Sequence, residues 1–316
     1  MKTFKSKVII IEGPTASGKS DLAYELASYF KTDIISADSR QVYKYLNIGT
    51  AKPDEKILSE VRHHLIDIIT PNQRYSVGQF IKEANIIIEK LDKNNKIPII
   101  CGGSMLYIDR LLNGLSYIPD VEEKFRQLAD QYIKTHSLSE CYHYIKSFDP
   151  KFSQRIAPTD KQRIHRVLSV WFAFKKPISY YWDKQETICE YNWFRILINK
   201  DRDDLYDRIN RRTESMIESG LIEEVQRVLD MGYKTTDYGL TSVGYTEFLD
   251  LITTKSTLDK KKMRECISLA AQHTRNYAKR QITWYKKKQY DFIVSNQCLE
   301  SLYDKISRFL DKPNHP

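Results

Sequence analysis

A glycine-rich segment near the amino terminus constrains the fold of this chain more than any other feature. Residues 13–20 fit the pattern G-x-x-x-x-G-K-[ST] at every fixed position, after an apolar run at 8–11 and before a helical pattern. In that context, backbone N–H groups of the loop and of the following helix converge on phosphate oxygens. The pattern assigns binding of a diphosphate or a nucleotide such as ATP to Gly13, Pro14, Thr15, Ala16, Ser17, Gly18, Lys19 and Ser20.

Two side chains of this phosphate loop carry most of its predicted chemistry. Lys19 supplies a positive charge for the terminal phosphates, and the Ser20 hydroxyl is placed as a ligand of Mg²⁺, the expected cofactor. The loop alone leaves open which bond is broken. A kinase of this class transfers the γ-phosphoryl group to an acceptor. The same loop is equally suited to a diphosphate that departs as a leaving group.

Strand and helix patterns alternate over the first hundred residues. Short apolar runs predict strands at 8–11, 33–38, 65–69 and 97–101, and apolar residues at helical spacing predict helices at 21–30 and 80–91. Strands that alternate with helices imply a parallel sheet, with a ligand site at the carboxyl ends of the strands. The predicted fold class is therefore α/β, with a P-loop-containing parallel sheet core.

The character of the chain changes in its middle third. From about residue 121 to 193 the sequence is helical, aromatic and strongly charged, and strand patterns return at 194–198 and 291–294. We predict that residues 1–118 form the first part of the P-loop core. Residues 119–193 are then a mostly helical insertion domain, and residues 194–316 return to the core with basic carboxyl-terminal helices.

Composition narrows the cellular context and the partners. The net charge of +9 favours an anionic partner such as nucleic acid, although a generally basic proteome would give the same value. No stretch approaches the roughly 20 apolar residues of a membrane span, so we expect no membrane partner and a cytoplasmic location. Five cysteines without paired or zinc-type spacing indicate buried thiols, at Cys101, Cys141, Cys189, Cys266 and Cys298.

Four further segments are more specific than the phosphate loop. They are DSRQVY at 38–43, LNIGTAKP at 46–53, HHLID at 63–67 and YAKRQITW at 277–284. Together with the phosphate loop, this set closely resembles the tRNA dimethylallyltransferases (tRNA isopentenyltransferases) over nearly the whole chain. The resemblance implies a P-loop core with a helical insertion, and we expect a monomer. It also implies transfer of the dimethylallyl group of dimethylallyl diphosphate to N6 of the adenosine 3′ of the anticodon in tRNA, with release of diphosphate.

The resemblance assigns the catalytic roles to Asp38, Thr15 and Arg208. Asp38 follows the second predicted strand beside the phosphate loop, where a carboxylate is placed to take the proton of a weakly nucleophilic aromatic amine. A helix N-cap or an outer partner of magnesium is the alternative role for Asp38. Thr15 lies among the loop donors that neutralise a departing diphosphate.

Arg208 is the best match to the arginine motif of the family, and we predict that it binds the diphosphate. Its spacing is equally compatible with a surface ion pair to Asp204, four residues earlier. Arg211 and Arg212 lie close enough in sequence to take the diphosphate role instead.

An adenine in an anticodon loop must leave its stack before it reacts, so a pocket for it is required. The resemblance implies tRNA contacts at Asp38, Ser39, Arg40, Gln41, Ser104, Gln162, Arg163, Ile164, His165, Arg166, Lys279 and Arg280. Met105 stands where the family pattern G-G-T-G-L-Y usually has glycine, so the resemblance leaves the geometry of this turn open. Positions 162, 165 and 166 share a helix face, which has the alternative interpretation of an ordinary solvated face.

Two other functions fit part of the sequence. A small-molecule or nucleoside monophosphate kinase would share the phosphate loop and the parallel sheet, but would not need the basic helical segments. A non-catalytic RNA-binding protein with a degenerate nucleotide site would not need an intact Lys19 and Ser20 beside Asp38. The combined motifs favour the prenyltransferase function over both.

Overall fold

The structure is a computed structural model, and it describes residues 5–115, 118–182, 191–254, 259–295 and 300–311. A six-stranded sheet organises the two ends of the chain. Its strands are β1 (Lys5–Glu12), β2 (Ile34–Ser36), β3 (His63–His64), β4 (Ile99–Gly102), β5 (Tyr191–Ile198) and β6 (Phe292–Val294). Their order is β3-β2-β4-β1-β5-β6, and every pairing is parallel. The predicted parallel sheet is confirmed.

Helices connect these strands and fill the middle of the chain. They are α1 (Lys19–Tyr29), α2 (Glu55–Glu60), α3 (Val77–Lys93), α4 (Met105–Asn113), α5 (Glu123–Thr135), α6 (Leu138–Phe148), α7 (Pro150–Ser153), α8 (Lys161–Phe174), α9 (Arg202–Glu218), α10 (Leu221–Asp230), α11 (Thr246–Thr253), α12 (Lys260–Tyr285) and α13 (Glu300–Asp311). A short 3-10 helix spans Ile178–Tyr181. The predicted helices at 21–30 and 80–91 correspond to α1 and α3.

The chain divides into two compact units. One combines Met1–Arg110 with Cys189–Pro316, and the other is Leu111–Ile188. The second unit starts a few residues before the predicted insertion and ends a few residues before residue 193. Strand β5 begins at Tyr191 rather than at the predicted residue 194. Strand β5 starts earlier because Lys5 and Lys7 of β1 pair with Tyr191 and Asn192.

The register of the sheet determines which loops are neighbours. Ile11 of β1 lies opposite Cys101 of β4, which in turn lies opposite Ser36 of β2. Because the three strands are parallel, their carboxyl ends meet at one edge of the sheet. The loops that follow β1, β2 and β4 are therefore side by side, and the loop after β4 lies between the phosphate loop and the loop after β2.

The sheet is stabilised by burial on both faces. Residues 8–11 of β1 are completely buried, as expected for a central parallel strand. Leu22 and Leu26 of α1 pack in the same core as Ile196 of β5. A second core lies among α10, α11 and α12, around Tyr245 and Phe248. This second core also includes Val42 and Leu46, so it supports the loop after β2.

The predicted third strand at 65–69 is wrong. The strand that pairs with β2 is His63–His64, immediately before it. Leu65 and Asp67 have φ angles of 65° and 56°, which place them in the left-handed region and interrupt an extended chain. Ile69 makes one isolated bridge with Tyr43. The apolar composition of the segment reflects packing of a loop and not a sheet strand.

In the described residues of the second unit, Leu111–Ile188, all regular secondary structure is helical. Helix α5 packs against α8, and α6 packs against both α7 and α8. Its core includes Ala129, Cys141, Ile145, Val167 and Leu168, all completely buried. The predicted change from alternating strands to helices is thus confirmed for these residues.

Cysteines and membrane propensity were also predicted. Cys101, Cys141 and Cys266 are free thiols, whereas Cys189 and Cys298 lie outside the described residues. Across the described ranges, no helix combines the length and the apolar character needed to cross a bilayer.

Candidate active site

The phosphate loop connects β1 to α1 through a tight turn. Gly18 has a φ angle of 93°, a left-handed conformation that glycine adopts without strain, and α1 begins at the next residue. The Ser17 N–H donates to the Pro14 carbonyl over 3.2 Å. A Cβ atom at Gly13 would lie 2.8 Å from Ser17 Oγ, so this position also requires glycine. The residues predicted to bind phosphate therefore form one compact loop at the amino end of α1.

Lys19 points into a small cavity at this edge of the sheet. The cavity, of about 70 Å³, is also lined by Ser20, Asp38, Gln41, Cys101 and Arg212. Burial lowers the pKa of Lys19, and the nearby Cys101 and Asp38 oppose that shift. Such a lysine gains most from a phosphate that replaces its lost hydration. Ser17 Oγ is buried and has no hydrogen-bond partner among the described residues, so its hydroxyl is available to donate to a bound oxyanion.

Asp38 lies at the meeting point of two cavities. Besides the small one, it lines a larger cavity of about 320 Å³, whose wall includes apolar residues of α9, α10, α11 and α12. The residues that line both cavities are Thr15, Asp38, Thr50 and Arg212. A carboxylate, a loop hydroxyl and a guanidinium thus lie where the phosphate end and the larger space adjoin.

The hydrogen bonds of Asp38 distinguish its two predicted roles. Oδ1 accepts the N–H of Arg40 over 2.8 Å and the N–H of Gln41 over 3.4 Å. Residues 39–42 form a turn and not a helix, so Asp38 is not a helix N-cap. Among the described residues, Oδ2 has no hydrogen-bond partner. One oxygen therefore holds the turn, and the other is directed to solvent or substrate.

The three candidate arginines occupy different positions along α9. Arg208 is exposed, and its Nε donates to the Ala16 carbonyl of the phosphate loop over 2.8 Å. Arg212 is half-buried and lines both cavities, while Arg211 is exposed and lines neither. Burial lowers the pKa of Arg212, and Asp38 opposes the shift. Arg208 thus supports the loop from outside, and Arg212 is the arginine that faces the cavities.

The alternative ion pair of Arg208 is not formed. Within the described part of the chain, Asp204 makes no salt bridge with Arg208. The side chain is instead engaged with the phosphate loop.

The loop after β2 provides the residues predicted to contact a flipped nucleotide. Ser39, Arg40 and Ser104 line the larger cavity, and the Ser39 N–H donates to Ser104 Oγ over 2.9 Å. Gln41 has a different environment: its amide accepts from Ser36 Oγ and donates to the Ala51 carbonyl, each over 3.0 Å. The Gln41 side chain is thus committed to the protein, and its contact with tRNA stays a prediction.

Met105 does not distort the turn after β4. It is the first residue of α4 and does not have a positive φ angle, so a side chain is tolerated without strain. The tight positions are the two preceding glycines: a Cβ atom at Gly102 would lie 2.1 Å from the Ala37 carbonyl oxygen.

Helix α12 carries the basic carboxyl-terminal segment. Arg280 and Tyr277 line the larger cavity, with the guanidinium 5.6 Å from the centre of the tyrosine ring. Lys279 is exposed, and Tyr285 is buried with its hydroxyl donating to the Gly13 carbonyl over 3.4 Å. Burial raises the pKa of Tyr277 to about 12, so its hydroxyl stays protonated at neutral pH and donates a hydrogen bond.

The predicted tRNA residues of the second unit lie at the start of α8. Gln162 and Arg163 are exposed, and His165 and Arg166 are half-buried. Ile164 is completely buried in the core of that unit, so a contact with tRNA at this position would use its backbone, and it stays a prediction. The predicted contacts are the five consecutive residues 162–166, but a helix exposes only some of five consecutive side chains.

Two of these side chains have partners within the second unit. His165 Nε2 lies 3.2 Å from the Arg126 carbonyl oxygen and 3.3 Å from an Asp130 carboxylate oxygen. Arg163 forms a 3.3 Å salt bridge with Asp160, the residue that caps α8.

A buried carboxylate supports the loop at 47–51. Glu224 of α10 accepts the N–H groups of Asn47 and Ile48 over 2.7 and 2.8 Å, and that of Gly49 over 3.3 Å. The Tyr245 hydroxyl donates to the same carboxylate over 2.6 Å. Gly49 belongs to the wall of the larger cavity, so Glu224 fixes part of that wall from behind.

We expect Glu224→Ala to lower the free energy of unfolding by at least about 3 kcal/mol, because several buried donors lose their acceptor. Urea denaturation measures this value. Glu223→Ala is the matched control, since Glu223 is exposed on the same helix turn and should change stability by less than about 1 kcal/mol. Equal stability of the two variants would contradict a supporting role for the Glu224 carboxylate.

Several residues of the site were not predicted. Thr50 and Gln281 lie within the motif segments, but nothing in their type indicates a role. Arg212 was predicted only as an alternative to Arg208. A signal for Gln281 exists: it lies three residues after Ala278 on the buried side of α12, where a polar amide requires partners.

A parallel sheet whose first strand leads into this glycine-rich loop defines a P-loop α/β protein. A model of the IPP transferase family matches residues 41–288. The chain is 41% identical over 308 residues to the tRNA dimethylallyltransferase of Carboxydothermus hydrogenoformans, covering 95% of this chain and 96% of that protein. It is 38% identical over 282 residues to that of Acetivibrio thermocellus, covering 89% and 88%. The chain therefore belongs to the tRNA dimethylallyltransferases, a family of prenyltransferases, as its motifs predicted.

Solved structures agree with this membership. A tRNA delta(2)-isopentenylpyrophosphate transferase from Staphylococcus epidermidis aligns with a TM-score of 0.68 and 32% identity, covering 98% of this chain and 100% of that one. A eukaryotic dimethylallyltransferase acting on tRNA has the same fold, with a TM-score of 0.77 at 24% identity, covering 96% and 77%.

Proposed function

We propose that this protein transfers the dimethylallyl group of dimethylallyl diphosphate to N6 of the adenosine 3′ of the anticodon in tRNA. In this reaction N6 attacks C1 of the dimethylallyl group, the C1–O bond to the diphosphate breaks, and the N6 proton passes to a base. The observation that carries the proposal is the shared lining of the two cavities by Thr15, Asp38 and Arg212. A phosphate-binding loop and a carboxylate thereby face the same point.

The leaving-group side of the proposal rests on the phosphate loop. Lys19, Thr15 and Arg212 are preorganised donors for the charge that develops on the departing diphosphate. Arg208 holds the loop through the Ala16 carbonyl, and its guanidinium would add a third cation beside those of Lys19 and Arg212. The residues also fit a magnesium ion: Ser20 would supply a hydroxyl ligand, and diphosphate oxygens would supply others. A bound Mg²⁺ would neutralise charge on the leaving diphosphate.

The acceptor side rests on Asp38 and the larger cavity. Oδ1 is used by the turn, which orients Oδ2 toward the space where an extruded adenine would lie. The cavity is about 320 Å³, and Ser39, Arg40 and Ser104 present polar groups along its wall. An unstacked base held there would place N6 near both the carboxylate and the phosphate loop.

The broader features of the proposal follow from the reaction. The acceptor that we propose is the anticodon stem-loop of tRNA, contacted by the exposed residues of α8 and by Lys279 and Arg280. A monomeric state and a cytoplasmic location belong to the same proposal.

Transfer of radiolabel tests the proposal directly. Labelled dimethylallyl diphosphate is incubated with unmodified tRNA and Mg²⁺, alongside a parallel assay with labelled ATP and small acceptors. We expect label from the prenyl donor in tRNA, lost when the tRNA carries guanosine in place of the adenosine 3′ of the anticodon. Phosphate transfer from ATP without prenyl transfer would instead assign the phosphate loop to a kinase.

Removal of magnesium tests the proposed cofactor. We expect excess EDTA to reduce prenyl transfer by about 10²-fold or more, since the leaving diphosphate loses its principal counter-charge. Mg²⁺ added back should restore the rate, and Ser20→Ala should raise the Mg²⁺ concentration needed for half-maximal activity. Full activity in EDTA would exclude this role for a divalent ion.

A further inference from the structure

From the hydrogen bonds of one buried amide, we infer that Gln281 is a positioning residue for the proposed prenyl transfer. The side chain is 1% exposed and projects from α12. Its Oε1 accepts the N–H of Thr15 over 2.9 Å, and its Nε2 donates to the Gly103 carbonyl over 2.9 Å. One amide thus connects the phosphate loop to the turn after β4. The inference rests on the proposed function.

The contact between Gln281 and the turn is close. A Cβ atom at Gly103 would lie 2.7 Å from Gln281 Nε2 and 3.6 Å from Lys19 Nζ. The backbone of the turn is therefore packed directly against the amide and beside the phosphate-binding lysine. At this distance, the length of the Gln281 side chain fixes the separation between the phosphate loop and the turn.

The turn after β4 also holds the segment that carries Asp38. Ser104 Oγ accepts the Ser39 N–H over 2.9 Å, and the Ser104 N–H donates to the Ala37 carbonyl over 3.2 Å. These two bonds fix the residues on either side of Asp38. A continuous path of hydrogen bonds therefore runs from Thr15, through Gln281 and the turn, to the backbone that flanks the carboxylate.

The function of this path is to fix one reacting partner relative to the other. Thr15 belongs to the loop that would hold the diphosphate, and Asp38 would face the nucleophile. An amide is suited to this place because it accepts through one atom and donates through the other. An ionised glutamate would keep the acceptor and lose the donor, and methionine would lose both. Tyr277 also donates to the Gly103 carbonyl, over 3.2 Å, so the turn keeps one anchor in either variant.

We expect the loss to appear in the chemical step. A displacement of reacting groups by about 1 Å reduces rates by about 10²-fold. Gln281→Met should therefore lower the single-turnover rate of prenyl transfer by about 10- to 100-fold. The KM values for donor and tRNA should change by less than about 3-fold, since Lys19, Arg212 and the tRNA-facing residues are retained. Gln281→Glu should show an intermediate loss.

The experiment compares wild type, Gln281→Met, Gln281→Glu and the control Thr283→Val. Thr283 is exposed on the same helix, and its hydroxyl bonds the Lys279 carbonyl of its own helix. Single-turnover rates, both KM values and thermal unfolding midpoints are measured, with hydrogen exchange of a peptide covering residues 13–18. Faster exchange in that peptide for Gln281→Met, with a rate loss and little change in KM, is the expected result.

Other outcomes overturn the inference. A Gln281→Met rate within 2-fold of the Thr283→Val rate would remove the positioning role. An increase in KM that accompanies a lower thermal unfolding midpoint in both Gln281 variants would assign the amide to general stability. Failure of both variants to fold would lead to the same conclusion. Absence of prenyl transfer by the wild-type protein would count against the proposed function itself and would be seen before any variant is compared.

Discussion

Asp38→Asn is expected to reduce the turnover number for prenyl transfer by about 10²- to 10⁴-fold, the range that general-base catalysis contributes. Asparagine keeps an oxygen that accepts the N–H groups of Arg40 and Gln41, so the turn after β2 should persist. What is lost is the carboxylate oxygen that we propose as the acceptor of the N6 proton. Binding of tRNA should change by less than about 3-fold, because the neighbouring residues keep their positions. Steady-state kinetics and a filter-binding assay measure the two effects.

Asp54→Asn is the matched control for this substitution. Asp54 also uses a carboxylate oxygen to accept a backbone N–H, that of Ile57 over 2.8 Å, but it lines neither cavity. We expect near wild-type turnover for it. Asp38→Ala should show the same catalytic loss with an added loss of stability, since the turn then loses its acceptor. Turnover close to that of the control in Asp38→Asn would remove Asp38 from the base role.

The parts of the fold that sequence predicts correctly have local causes. The phosphate loop is specified by its own glycines and by the apolar strand and helix on either side, all within about twenty residues. Helix α3 was similarly predicted from apolar residues at helical spacing over 80–91, although it begins at Val77, after the capping box of Ser76 and Gln79 that the prediction did not use. The prediction of a third strand at 65–69 was wrong because an apolar run does not by itself specify an extended backbone. Leu65 and Asp67 adopt left-handed backbone angles that interrupt a strand.

The parts of the site that sequence misses depend on distant pairing. Gln281 and Thr15 are 266 residues apart, and the bond between them exists only because α12 returns to the loop after β1. Arg208 and Arg212 are equally basic in sequence, and both lie on one face of α9. Tertiary packing alone decides that the first bonds the Ala16 carbonyl while the second faces both cavities. Residue type and spacing cannot distinguish such neighbours.

Lys19→Met is expected to reduce kcat/KM for dimethylallyl diphosphate by about 10²- to 10³-fold, as removal of one preorganised donor does elsewhere. Burial in this cavity lowers the pKa of Lys19, and the diphosphate is the anion that we propose as its partner. Methionine has an unbranched side chain of nearly the same length as lysine but carries no charge. The KM for tRNA should stay within about 3-fold of wild type, and inhibition by added diphosphate should weaken in parallel with the loss of kcat/KM.

Lys82→Met provides the control, because Lys82 is an exposed lysine of α3 that lines neither cavity. The change in charge is the same, so any general effect of net charge on tRNA binding appears equally in both variants. Lys19→Arg separates charge from shape: a guanidinium restores the charge but not the compact ammonium geometry, so we expect only partial recovery. A Lys19→Met protein with unaltered diphosphate inhibition would show that the leaving group binds elsewhere, and the phosphate loop would then need another ligand.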